Sequence, residues 1–294
     1  MSSSAARRRA QRRRRTTGVL VLCTALVVGG GWAAWRFVDD SEVLVRERCT
    51  AVVGPDSFEL APDQAANAAL ISAVSMDRGL PARAASIGIA AGFQESKLRN
   101  IDYGDRAGPD SRGLFQQRPS QGWGSEEQVM DPVYAANRFF QELELVAPDF
   151  EDLDITVAAQ KVQRSAFPDA YADHEPEGRA YASALTGNSP ASLNCVLTSP
   201  QAPGDAAGFA SALTEQLSSA GPEIVSAADG STVTISASGT RGWALVQWAV
   251  AHAQQFGVTS ASFGGLQWVR SEHGWVSATG PQAAEGTVTV TFHR

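Results

Sequence analysis

Glu95 stands inside the run Gly92-Phe93-Gln94-Glu95-Ser96-Lys97-Leu98. After a polar loop the chain continues Gly113-Leu114-Phe115-Gln116-Gln117-Arg118-Pro119-Ser120-Gln121-Gly122-Trp123-Gly124. A carboxyl group placed where an apolar helix ends, facing a turn rich in glycine and glutamine, suits a general acid that breaks glycosidic bonds. Such cleavage passes through an oxocarbenium-like transition state, and the leaving oxygen takes a proton from a carboxylic acid whose pKa has been raised. Free Glu titrates at about 4.3. Apolar neighbours such as Phe93 and the Leu114-Phe115 turn disfavour its charged form and move it toward neutrality. Glycines 113 and 122 let sugar and backbone approach closely, and the amides of Gln116, Gln117 and Gln121 suit hydroxyl and N-acetyl groups.

The elements that must position Glu95 are helical. Apolar residues Ala65, Ala68, Ala69, Ile71, Ala73 and Val74 recur at helical spacing over residues 64–75, with Gly79 as the stop signal. Pro81 opens a second helix over about residues 82–97, apolar on nearly every side and therefore buried. Glu95 falls in its last turn, where an acidic residue opposes the helix dipole. Helix stability is thus not what places it there. Residues 100–112 have turn composition. Asp131-Pro132 caps and opens a helix to about residue 145, and further helices are expected over 156–165 and 177–185.

Gln94-Glu95-Ser96 followed by Gly113-Leu114-Phe115-Gln116 and Pro119 resembles the signature of the soluble lytic transglycosylase and goose-type lysozyme group, over roughly residues 61–188. The strings around Tyr103-Gly104-Asp105-Arg106 and residues 158–168 are similar to versions in actinobacterial envelope proteins and some phage-tail lysins. The resemblance implies that Glu95 is the catalytic acid and base, acting on the β-1,4 bond between N-acetylmuramic acid and N-acetylglucosamine in peptidoglycan. It implies substrate contacts from Ser96, Gly113, Leu114, Phe115, Gln116 and Gln117. The family's Ala-Tyr-Asn-like motif is replaced by Lys161-Val162-Gln163, so Gln163 stands for the asparagine and Tyr171 is the substitute hydroxyl. With Glu95 as sole acid and base, the family implies attack by the substrate's own 6-hydroxyl and a 1,6-anhydro product. An inverting hydrolase instead needs a second carboxylate about 6.5–9.5 Å away; Asp102 and Asp105 are the candidates, against a plain role as turn formers. The alternative function is a weakly catalytic peptidoglycan-binding scaffold, or an envelope assembly factor whose protein partners the sequence does not name.

Seven arginines among residues 7–15 precede an apolar run over 17–38 that is long enough to span a bilayer core. Their bias puts the N-terminus in the cytoplasm and the rest outside. Beyond residue 38 the chain carries 16 Lys and Arg against 31 Asp and Glu, a formal charge of −15, which argues against nucleic-acid binding. Cys23 lies in the apolar run, leaving Cys49 and Cys195 to pair outside, where disulfides persist. The expected fold is a mainly α lysozyme-like domain outside a single transmembrane helix, followed by a small α+β domain. Its boundaries are a basic tail to residue 16, the span at 17–38, a stalk at 39–60, the lysozyme-like domain at 61–188, a linker at 189–206 and the last domain at 207–294. In that last domain His252, His273 and His293 lack metal-ligand spacing, so neither metal nor cofactor is expected.

Overall fold

In a computed structural model of the protein, residues 45–165, 169–219, 223–227, 229–278 and 286–294 are described. Strand β1 (Arg48–Val53) buries Cys49 and Ala51 and turns Arg48, Thr50 and Val52 outward, the period-2 pattern of a half-buried strand. Gly54, at φ 61°, starts the two-residue turn into β2 (Asp56–Leu60), with glycine first as hairpin geometry favours.

Helix α1 (Pro62–Asp77) opens on proline, and the Gln64 side chain accepts from the Ala61 N–H at 2.8 Å. Helix α2 (Ala82–Ser96) buries Ala84, Ala85, Ile87, Ile89, Ala90 and Ala91, as expected of a helix apolar on all sides. Among the described residues four further helices follow in this half: α3 (Glu126–Met130), α4 (Pro132–Val146), α5 (Ile155–Gln163) and α6 (Glu175–Leu185), the last preceded by a 3-10 turn at Ala170–His174. Asp131 caps α4 by accepting from the N–H groups of Val133 and Tyr134.

After α6, strand β3 (Leu193–Val196) returns to pair with β1, completing an antiparallel sheet in the order β2-β1-β3. Cys49 and Cys195 lie opposite one another in that pairing and are joined by a disulfide. Beyond it come α7 (Ala206–Gln216), β4 (Ile224–Ser226), β5 (Thr232–Ser236), α8 (Gly239–Ala251), α9 (Ala253–Phe256), β6 (Val258–Phe263), β7 (Leu266–Val269), β8 (Gly274–Ser277) and β9 (Thr287–Phe292). Their strands form a six-stranded antiparallel sheet ordered β4-β5-β9-β6-β7-β8. Helix α8 packs on β6 and β9 and also on α1, α6 and β3.

The core therefore runs from the helical half into the sheet half, and residues Arg46–Arg294 form one compact unit. Buried Gln247 on α8 ties the halves together. Its Oε1 accepts from the N–H groups of Ser192 and Leu193 at 2.9 and 2.8 Å, and its Nε2 donates to Ala184 O and Ser189 O at 2.7 and 3.0 Å. A fully satisfied buried amide of this kind favours one arrangement over alternatives, because any displacement strands several polar groups. Trp275 Nε1 donates to Leu193 O at 2.8 Å, and Trp268 Nε1 to Cys195 O at 3.2 Å.

The expected mainly α domain followed by a separate small α+β domain is corrected by this architecture. The described residues are about 46% helix and 19% strand, with two antiparallel sheets. Within the stretch read as a stalk, Arg48–Val53 and Asp56–Leu60 are β1 and β2, and β3 lies within the stretch read as a linker. A six-residue strand with two buried side chains has too short a period to stand out, and its partner β3 lies more than a hundred residues away. Among the described residues no helix is long and apolar enough to cross a membrane. The apolar run at 17–38 and the arginine block lie outside the described residues.

Candidate active site

Glu95 sits in the last turn of α2, which ends where Lys97 and Leu98 both adopt left-handed backbone conformations, at φ 55°. The Lys97 N–H bonds Phe93 O at 2.8 Å and the Leu98 N–H bonds Gly92 O at 3.0 Å, closing the helix and burying Leu98. From α1, Gln64 Nε2 and Asn67 Nδ2 donate to the carbonyls of Lys97 and Leu98, each at 2.8 Å. The reversal beneath Glu95 is thus fixed by a neighbouring helix.

The carboxyl group is partly buried on the wall of a cleft of about 560 Å³. Gln94, Asp105, Gln116, Gln117 and Gln163 also line this cleft, as do Tyr103, Trp123, Arg118 and Arg164. The buried Tyr171, in the 3-10 turn, donates from its hydroxyl to Glu95 Oε1 at 2.6 Å. Gln163, at the end of α5, hydrogen-bonds Glu95 and also donates to Phe115 O at 2.9 Å. Burial pushes the Glu95 carboxyl above its ordinary value. The bonds from Tyr171 and Gln163 pull it back in part, and the Asp105 charge adds a small upward push. Tyr171 is itself driven upward, first by burial and then by Glu95, so it stays a hydroxyl donor.

The residues grouped around Glu95 by resemblance divide into two sets. Gln116, Gln117 and Gln163 line the cleft. Ser96, Gly113, Leu114 and Phe115 do not; they hold the turn that faces Glu95. Ser96 Oγ is buried, donates to Leu114 O at 2.8 Å and to Gly92 O at 3.1 Å, and accepts from the Arg99 N–H at 3.1 Å. Gly113 has φ 78°, and a Cβ there would lie 2.1 Å from Val129 O. Leu114 is fully buried, and Phe115 stacks on Phe139 with ring centroids 4.6 Å apart. A backbone bridge between Arg112 and Gln117 closes the turn.

The two candidate second carboxylates also part company. Asp102 is exposed and is not among the residues lining the cleft. Asp105 does line it, with Oδ1 accepting from the N–H groups of Ala107 and Gly108 at 2.9 and 2.8 Å, the bonding of a turn former. Asp110 is held well below the usual carboxylate range by bonds from Ser120 and from Arg118.

Gln94, Tyr103 and Arg164 line the cleft although the strings that contain them assigned them no role. Gln94 precedes the acid on a helical turn, and its Oε1 lies 3.1 Å from His174 Nε2. Tyr103 is 65% exposed; a lone aromatic in an Asp- and Gly-rich loop was the available signal. Far from the cleft, His252 is a core residue, its ring stacked on Trp248 at 3.9 Å. No cluster of side chains that could hold a metal ion occurs among the described residues. No protein-family model matches the chain, and no curated protein matches it.

Proposed function

We propose that this protein is a peptidoglycan-cleaving glycosidase acting on the β-1,4 bond between N-acetylmuramic acid and N-acetylglucosamine, with Glu95 as general acid and then base. The observation that carries the reading is the environment of Glu95. Its carboxyl is raised by burial yet open to a polar cleft, and the Tyr171 hydroxyl holds one oxygen. Protonated Glu95 gives its proton to the glycosidic oxygen as that bond breaks and positive charge builds on the sugar carbon and ring oxygen. The carboxylate left behind is stabilised by Tyr171 and Gln163. It then takes the proton of the sugar's 6-hydroxyl as that oxygen closes on the anomeric carbon, which yields a 1,6-anhydro end and restores the acid.

Asp105 supports this route over hydrolysis, because one of its oxygens is already committed to the loop N–H groups. The glutamines around the acid offer amide donors and acceptors suited to N-acetyl groups and hydroxyls. The Cys49–Cys195 disulfide supports work in an oxidising compartment outside the cytosol.

The test is digestion of purified peptidoglycan by the full chain beside its Glu95→Gln variant, with products identified by mass spectrometry. Anhydro products that fall by about 100-fold or more in the variant are expected, the usual scale for loss of a positioned acid. Equal product release by the two proteins would sink the assignment. Reducing-end products would move it to a muramidase using Asp105.

A further inference from the structure

Among the described residues, one arginine of the cleft shares its only carboxylate partner with a second arginine. Two arginines line the cleft, Arg118 and Arg164. Arg118 is matched one to one, its Nε 2.9 Å from Asp110 Oδ1. Arg164 shares its carboxylate. Glu142, nearly buried on α4, meets Arg138 Nη1 at 3.1 Å through Oε2 and Arg164 Nη2 at 3.3 Å through Oε1. One carboxylate between two guanidinium groups leaves this three-residue group with a net charge of +1, while the one other carboxylate lining the cleft besides Glu95, Asp105, is turned to its own loop N–H groups.

That charge is available to a ligand on the Arg164 side. The Arg164 side chain is 73% exposed, against 27% for Arg138. Arg138 is also engaged behind the cleft wall, with its guanidinium carbon 5.1 Å from the centroid of the Trp123 ring. Arg164 directly follows Gln163, which hydrogen-bonds Glu95, and both residues line the cleft that holds the acid.

The backbone adds an independent observation. Arg164 terminates α5 in the left-handed conformation, φ 53° and ψ 39°, where glycine or asparagine fits without the steric cost an arginine bears. A cation near a helix C-terminus is favourable in itself, yet this guanidinium bonds Glu142. An exposed arginine fork also binds carboxylates with two parallel bonds where it can.

We propose that Arg164, held by Glu142, is an anion subsite of the cleft that receives a carboxylate carried by the glycan. This rests on the glycan-cleaving reading. Two sources of that carboxylate exist in such a polymer, the lactyl group of a peptide-free muramic acid and the acidic groups of a peptide stem.

The experiment measures binding to the full chain carrying Glu95→Gln, so that ligands stay intact, with and without Arg164→Asn. Three tetrasaccharides serve as probes: neutral N-acetylglucosamine only, the alternating tetramer with free lactyl carboxylates, and the same tetramer bearing peptide stems. Asparagine suits the left-handed position, so Arg164→Asn is expected to fold and melt no lower than its parent. The variant is expected to bind one or both acidic tetramers about tenfold more weakly, to bind the neutral one unchanged, and to show a smaller salt dependence. The tetramer affected identifies the source. Equal losses for all three probes, or no loss for any, would overturn the subsite while leaving the glycan reading standing. A parent protein that binds none of the three would remove both.

Discussion

At Glu95 two influences oppose each other: burial favours the neutral acid, and Tyr171 with Gln163 favours the carboxylate. The balance suits a group that must hold a proton and then survive its loss. In Tyr171→Phe the downward pull of the hydroxyl is gone, so the alkaline limb of the kcat/KM profile should move to higher pH. Proton transfer then leaves a less stabilised carboxylate, and the rate should fall about tenfold or more, the scale of a hydrogen bond to a charged group. A pH-rate profile with an unmoved limb would separate Tyr171 from the acid. Asp105→Asn acts in the other direction, removing a charge that raises Glu95. Its alkaline limb should move to lower pH with less than about a tenfold rate loss, and a far larger loss would make Asp105 a second catalytic carboxylate. Glu95 and Tyr171 were open to recognition in the sequence because a motif marked the first and a missing tyrosine called for the second. Arg164 was not, because what distinguishes it is a carboxylate shared across α4, and no spacing encodes that.

The elements around the acid show why a residue beside it need not touch substrate. Ser96 bonds the Leu114 carbonyl and the end of its own helix, so it fastens α2 to the turn that faces Glu95. Ser96→Ala should lower stability by about 1–3 kcal/mol, the cost of a buried acceptor left unmet, and leave KM nearly unchanged. A raised KM at unaltered melting temperature would restore Ser96 to the substrate. The disulfide acts over a longer range, closing a loop of 146 residues that contains every helix of the first half. Replacing both cysteines with serine should cost about 5 kcal/mol on a chain-entropy estimate, read as a lower denaturant midpoint. A change under about 1 kcal/mol would mean that β1 and β3 hold together without it. The helices were legible because proline, Asp131 and a 3.6-residue apolar period are local signals. Helix α2 ends at Ser96 and α4 begins at Pro132, within a residue or two of what those signals predict. The Cys49–Cys195 pair was legible by elimination, but the β2-β1-β3 sheet was not, because a cysteine pair carries no strand register and β1 and β3 are short strands whose paired cysteines stand 146 residues apart.

Across the whole molecule, Glu95 and His252 make stability depend on pH in opposite senses. His252 is buried without a charge partner and its imidazole is pushed down to about 4. The unfolded chain therefore takes up a proton near the ordinary value of 6.5 while the folded one does not. Stability from a neutral His252 is present above that value and is lost as pH falls toward about 4, by up to about 3 kcal/mol. Glu95 has the reverse sign. Its folded pKa lies above the ordinary 4.5, so the fold is favoured while it is protonated, and stability declines as pH rises from that value through the raised one. Glu95→Gln, neutral throughout, should melt close to the wild type near pH 4 and progressively above it toward pH 8. His252→Gln should be costly near neutrality, with the deficit shrinking as the solution is acidified. The residues lie on α2 and just beyond α8 with no shared partner, so their effects should add and the double variant's offset from the wild type at each pH should equal the sum of the two single offsets. A Glu95→Gln offset that does not vary with pH would mean that the folded chain carries no burial penalty on that carboxylate, and the general-acid assignment would lose its physical basis.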